Sequence, residues 1–160
     1  MMLSLIAAAS LAAQAPVVTP QGVGDVRIGA SLAALRRMGA RRNGTVEPGS
    51  NCAYWQIDGR EGLAMMVVDR RLVRIDVDAA RFRTANGARV GMAEAEVRRL
   101  YGPALRVQPH PYAGPAGHYL VVHPARSPYG LIFETSADTH HVDTLRVGLW
   151  ENVQWIEGCS

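Results

Sequence analysis

One short phrase occurs twice in this chain: "RIGASLAALRRMG" at residues 27–39 and "RVGMAEAEVRRLY" at residues 89–101, 62 positions later. A match at that distance within 160 residues constrains the chain to two like units, provided it continues beyond one segment. It does. "CAYW" (52–55) aligns with "GHYL" (117–120) at an offset of 65, "GLAMMV" (62–67) with "GLIFET" (130–135) at 68, and "LVRIDV" (72–77) with "VDTLRV" (142–147) at 70. The offset grows only across "GARRNGTVEPGSN", "DGREG" and "DRR", all rich in turn-forming residues, where insertions into a duplicated unit belong.

Each copy reads as one helix followed by three strands. Ser31 is a good N-cap for a helix near 31–39, with Leu32, Leu35 and Met38 on one face. The second helix, near 92–101, carries Val97, Leu100 and Tyr101 on one stripe and stops at Gly102-Pro103. Glu94 and Glu96 in its first turn and Arg98-Arg99 in its last complement the helix dipole, so these charges read as helix design. Alternation and β-branching mark strands at 53–57, 63–68 and 72–77, then at 119–123, 131–135 and 142–149. The expected fold is α+β: two tandem repeats, 20–85 and 86–160, each a helix packed on a three- to four-stranded antiparallel meander. The outer sheet face is left needing solvent, the sister sheet or a partner.

The stretch "RVGMAEAEVRRLYGP" resembles the "I-x-x-G-M-[ST]-x-x-E-V-x-x-x-L-G-x-P" signature of a superfamily of bacterial envelope proteins. Its members include the tandem-repeat β-lactamase inhibitor protein and the small lipoprotein of the outer-membrane β-barrel assembly machinery. Gly91, Met92, Glu96, Val97, Gly102 and Pro103 carry the likeness, and Gly29, Ser31 and Leu35 echo it in the first copy. The resemblance implies helices packed on a duplicated antiparallel sheet, in an extracytoplasmic protein that works by binding. Ala93 departs from the signature's Ser or Thr.

The first fifteen residues, "MMLSLIAAASLAAQA", are uncharged and apolar over about a dozen positions, the length of a secretory leader and too short to span a bilayer. Residues 1–15 therefore read as an export signal, the alternative being a frayed N-terminal helix on a cytosolic protein. Export places Cys52 and Cys159 in an oxidising compartment, where two cysteines can form only one disulfide; two buried thiols are the competing reading. All 17 basic residues are arginines, yet the net charge is only +3 and no basic run exceeds two residues, which argues against a nucleic-acid partner.

All five histidines lie in the second copy. His118 opens one strand and His140-His141 another, so the meander should gather them at one sheet end near Asp138. The strands carrying them stand about 9–10 Å apart, long for a shared metal, so solvent-facing loop histidines compete with a zinc-like ligand set. Neither a metal site nor a catalytic residue is assigned, and no cofactor motif is present. Trp150 and Trp155, read as strand residues, fall on opposite faces, so one faces away from its own core; Trp150 beside Tyr119 or Arg146 fits a protein or glycan surface, and packing between the two repeats is the competing reading. The segment 102–117 reads as a long loop. The candidate ligand-binding residues are thus His118, Tyr119, His140, His141 and Trp150. The functional expectation is an exported, non-enzymatic binding or envelope-interaction module with a protein partner. Inhibition of a secreted enzyme and metal-dependent hydrolysis are the alternatives, and the oligomeric state stays open.

Overall fold

The computed structural model describes residues 15–159 with the exception of Val46. The leader read over residues 1–15 lies, apart from Ala15, outside the described residues. Six strands form where alternation and β-branching indicated them: β5 (Cys52–Ile57), β6 (Leu63–Val68), β7 (Arg71–Val77), β10 (Gly114–Val122), β11 (Tyr129–Thr135) and β12 (Val142–Leu149). Two further strands, β4 (Ala40–Asn43) and β9 (Arg106–His110), flank them. All eight make one sheet in the order β4-β5-β6-β7-β12-β11-β10-β9. Short segments β1 (Val17–Thr19), β2 (Gly22–Val23), β3 (Val26–Arg27) and β8 (Arg83–Thr84) form a second, four-stranded sheet.

This overturns the expected pair of α+β units. Among the described residues the three α-helices have six, eight and four residues: α1 (Leu32–Arg37), α2 (Glu94–Tyr101) and α3 (Trp150–Val153). They are too short to make a helical layer over separate meanders, and the molecule is mostly β. The physical reason is edge pairing. β7 and β12 bond antiparallel from Val77–Leu145 to Arg74–Gly148, so two strand runs merge into one continuous sheet and need not cover each other. At this seam Gly148 has φ +152°, and a Cβ there would sit 2.2 Å from the Val73 carbonyl oxygen, so only glycine lets the backbones close.

One sheet face carries the main core, where Leu35, Val97 and Phe82 pack with Leu72, Ile75, Phe133 and Leu145 under α1, α2 and the small sheet. Ser31 caps α1 as its type dictates, its Oγ accepting from Ala34 N–H at 3.2 Å. The cap of α2 is thinner: Ala93 has no hydroxyl, and its own N–H donates to Glu96 Oε2 at 3.4 Å.

The chain's C-terminal segment covers the opposite face. Trp150 opens α3 instead of extending a strand, so it does not alternate with Trp155 as a strand pair would. From there the chain runs back to Cys159, bonded to Cys52 on β5 as the oxidised reading required. Trp150 packs flat on Gly130 and stacks on His123, the rings 4.0 Å apart and 6° from parallel. The segment 102–117, read as a loop, contains a 3-10 turn at Gly102–Ala104, then β9 and the start of β10.

Candidate functional site

Helices α1 and α2 each start beside a strand junction, and the two junctions use matching hydrogen bonds. Leu32 N–H donates to the Arg70 carbonyl at 2.8 Å, and Glu94 N–H to that of His140 at 2.9 Å. Gly29 N–H donates to Leu72 at 2.7 Å, and Gly91 N–H to Val142 at 2.8 Å. The turn residues Arg70 and His140 both adopt positive φ, 64° and 53°. The strand facing each junction matches too: Tyr54 lies opposite Met66 as Tyr119 lies opposite Glu134. Within this shared backbone frame, Leu32 occupies the place of Glu94 and Ala53 the place of His118.

At the second junction, Glu94, the first residue of α2, is only 7% exposed. Burying a carboxylate is costly unless hydrogen bonds replace its water. Here they do. Glu94 Oε2 accepts from His118 Nδ1 at 2.8 Å and from the Thr135 hydroxyl at 3.2 Å, and Oε1 accepts from Arg98 at 3.3 Å. Thr135 also holds the His118 backbone, its Oγ1 accepting from His118 N–H at 3.1 Å. With Nδ1 committed, Nε2 is the ring nitrogen open to a ligand.

His118, His140 and His141 line one open depression of about 460 Å³, together with Glu94, Arg98 and Thr139. The three histidines expected at one sheet end are therefore together. His141 Nδ1 donates to the Thr139 carbonyl at 2.6 Å. Asp138 does not line the depression, its backbone N–H bonding Ser136 Oγ. Among the described residues no group of three or more His, Cys, Asp or Glu side chains is placed to hold a metal ion.

Tyr119 and Trp150 do not join this site. Alternation along β10 sends Tyr119 to the other sheet face, where Arg146 lies over its ring at 4.8 Å and His110 meets it edge-on. A second polar cluster occupies that face. Arg74, 4% exposed, makes a bidentate pair with Asp76 at 2.6 and 2.8 Å and donates to Tyr54 OH. It also donates to the carbonyls of Asn152 and Trp155, and Arg146 joins it on the latter at 3.0 Å. Two guanidinium groups thus pin the C-terminal segment, an anchoring role. Burial, with the Asp76 carboxylate alongside, pushes the Tyr54 hydroxyl up to about 12.

The residue that sequence reasoning missed is Glu94. Its place in the first helical turn was explained by the helix dipole alone. The usable signal was the alignment itself, which sets the Glu94 carboxylate against Leu32.

A disulfide-stapled, mostly β protein with a polar depression at a helix–turn junction is the class that fold and site define. No protein-family model matches the chain, and no curated protein matches it. Among solved structures it is similar to the uncharacterized protein yfeY from Escherichia coli, at 16% identity and a TM-score of 0.47 over 82% of this chain and 99% of that one. A cysteine-rich secretory protein from Staphylococcus aureus matches at 9% identity and a TM-score of 0.48 over 82% of this chain. An extracellular protein containing a SCP domain from Bacillus anthracis matches at 12% and 0.46 over 78%. The chain spans 47% and 44% of the length of the latter two. No helix among the described residues is long and apolar enough to cross a membrane.

Proposed function

We propose that this is an exported, non-enzymatic binding module built by duplication of one segment, and that the depression at the start of α2 is its recognition surface for a protein partner. The observation that carries this reading is the substitution of chemistry within a shared frame. Leu32 and Ala53 satisfy the fold at the first junction, whereas the second buries the Glu94 carboxylate against a half-buried His118, a pairing that the frame does not require. Residues that break the local rule without serving the core mark functional positions. A protein partner is favoured over a small ligand by shape. His140 and His141 are exposed and the depression is open, so it covers only part of what it holds, as protein contacts do, whereas small-molecule sites enclose their ligands. The disulfide fits an oxidising compartment.

Cross-linking in the exporting cell tests it. A photocrosslinker at position 95, on the depression's lining, is expected to yield one discrete protein adduct, and the adduct should be lost in Glu94→Leu/His118→Ala. An unchanged adduct in that variant, with circular dichroism showing it folded, would overturn the assignment.

A further inference from the structure

The first junction also carries a depression, of about 440 Å³, and its chemistry is the reverse of the second. Arg36, Arg42 and Arg70 line it and are exposed to solvent. None of the three makes an ion pair among the described residues. Arg98, which holds the place of Arg36 in the second junction, is instead neutralised by Glu94. One carboxylate, Asp69, lies on the rim, and it accepts from Asn51 Nδ2 at 2.8 Å. The lining thus carries three positive charges against one negative.

Two of these arginines are also held in place. Trp55 on β5 lies opposite Arg42 on β4, and its ring supports two guanidinium groups, Arg36 at 5.0 Å and Arg42 at 5.9 Å from the ring centroid. Arg70 is presented from a two-residue turn in which both residues have positive φ, the geometry of a tight type I′ hairpin. Anchored guanidinium groups lose less freedom on binding an anion than free ones. Leu32 and Val67 give the floor an apolar surface.

From this we infer that the first junction is an anion site for a doubly charged phosphate group, free or as a monoester, held among Arg36, Arg42 and Arg70, with Leu32 and Val67 beneath to receive the apolar portion of an ester. Planar guanidinium forks match phosphate oxygens two at a time, and three of them match its charge better than that of a single carboxylate. This site is separate from the histidine depression and does not depend on the partner proposed there. The phosphate could be free or borne on a lipid, and the two sources separate by the apolar floor.

Isothermal titration of the full chain at low ionic strength tests it, with inorganic phosphate, dihexanoyl phosphatidic acid below its micelle concentration, and dihexanoyl phosphatidylcholine. Saturable binding of an anion that weakens as salt is added, and that falls about tenfold in Arg36→Gln/Arg42→Gln, supports the site. Arg70→Asn, which keeps the left-handed turn and leaves the Trp55 stack intact, should weaken it in the same direction. Phosphatidic acid binding at least about tenfold tighter than phosphate identifies a lipid source, and equal binding identifies free phosphate. The inference is overturned if neither anion saturates, if phosphatidylcholine binds as well as phosphatidic acid, or if folded Arg70→Asn binds unchanged.

Discussion

Arg74 is the side chain on which the covered sheet face turns. It satisfies Asp76, Tyr54 and two carbonyls of the C-terminal segment at once. Removing one partner of a buried charge network leaves the other uncompensated, so Arg74→Met is expected to lower stability by about 3 kcal/mol in urea denaturation. Tyr54 gives the same cluster a pH dependence. Its hydroxyl ionises near 12 in the folded chain, above the ordinary value of 10, so between those limits the unfolded chain loses a proton that the folded one keeps. Stability should therefore fall as pH rises from about 10 to about 12, and Tyr54→Phe should flatten that slope in pH-dependent thermal melts.

Among the elements, the C-terminal segment depends most on its anchors. The Cys52–Cys159 bond closes a loop of 107 residues, and removing such a link from the unfolded ensemble costs about 5 kcal/mol in the chain-entropy account. Cys52→Ala/Cys159→Ala should show that loss in its denaturation midpoint, with amide exchange rising first around α3. Gly130→Ala probes the same cover from beneath. A Cβ at Gly130 would sit 2.4 Å from the Trp150 ring, and overpacking of that kind costs about 1–3 kcal/mol.

The elements also show where sequence signals reached. The six inner strands announced themselves by β-branched alternation. β9 is exposed along most of its length and contains Pro109, tolerated at a sheet edge but removing any apolar period, and β4 offers Arg41-Arg42-Asn43. Two-residue strands such as β2 and β3 are too short to carry a period at all. Strand order alone brought His118, His140 and His141 together. It could not assign Glu94, because helix-dipole design and a buried hydrogen bond to His118 place a glutamate at the same position.

For the whole molecule, the seam between β7 and β12 decides what can stand alone. Residues 20–85 in isolation keep the β6–β7 pairing but lose β12 and the disulfide partner, which leaves the outer edge of β7 unpaired. That fragment is expected to unfold or to associate through its open edge, visible as a non-monomeric or featureless species by gel filtration and circular dichroism. The same seam sets the two helix–turn junctions into one sheet, where they differ in chemistry but not in backbone plan. Proposed duplication explains the shared plan, and divergence after it explains one cationic and one Glu–His junction.

The central claim is that the Glu94–His118 pair serves recognition and not the fold. Urea denaturation of Glu94→Leu/His118→Ala against the parent chain tests it most directly. Exchanging a buried hydrogen-bonded polar pair for apolar residues is often near neutral, and Leu32 and Ala53 already fill the matching places at the first junction, so the midpoint should stay or rise. A loss of about 2 kcal/mol or more would show that the pair holds the structure together and would contradict the claim.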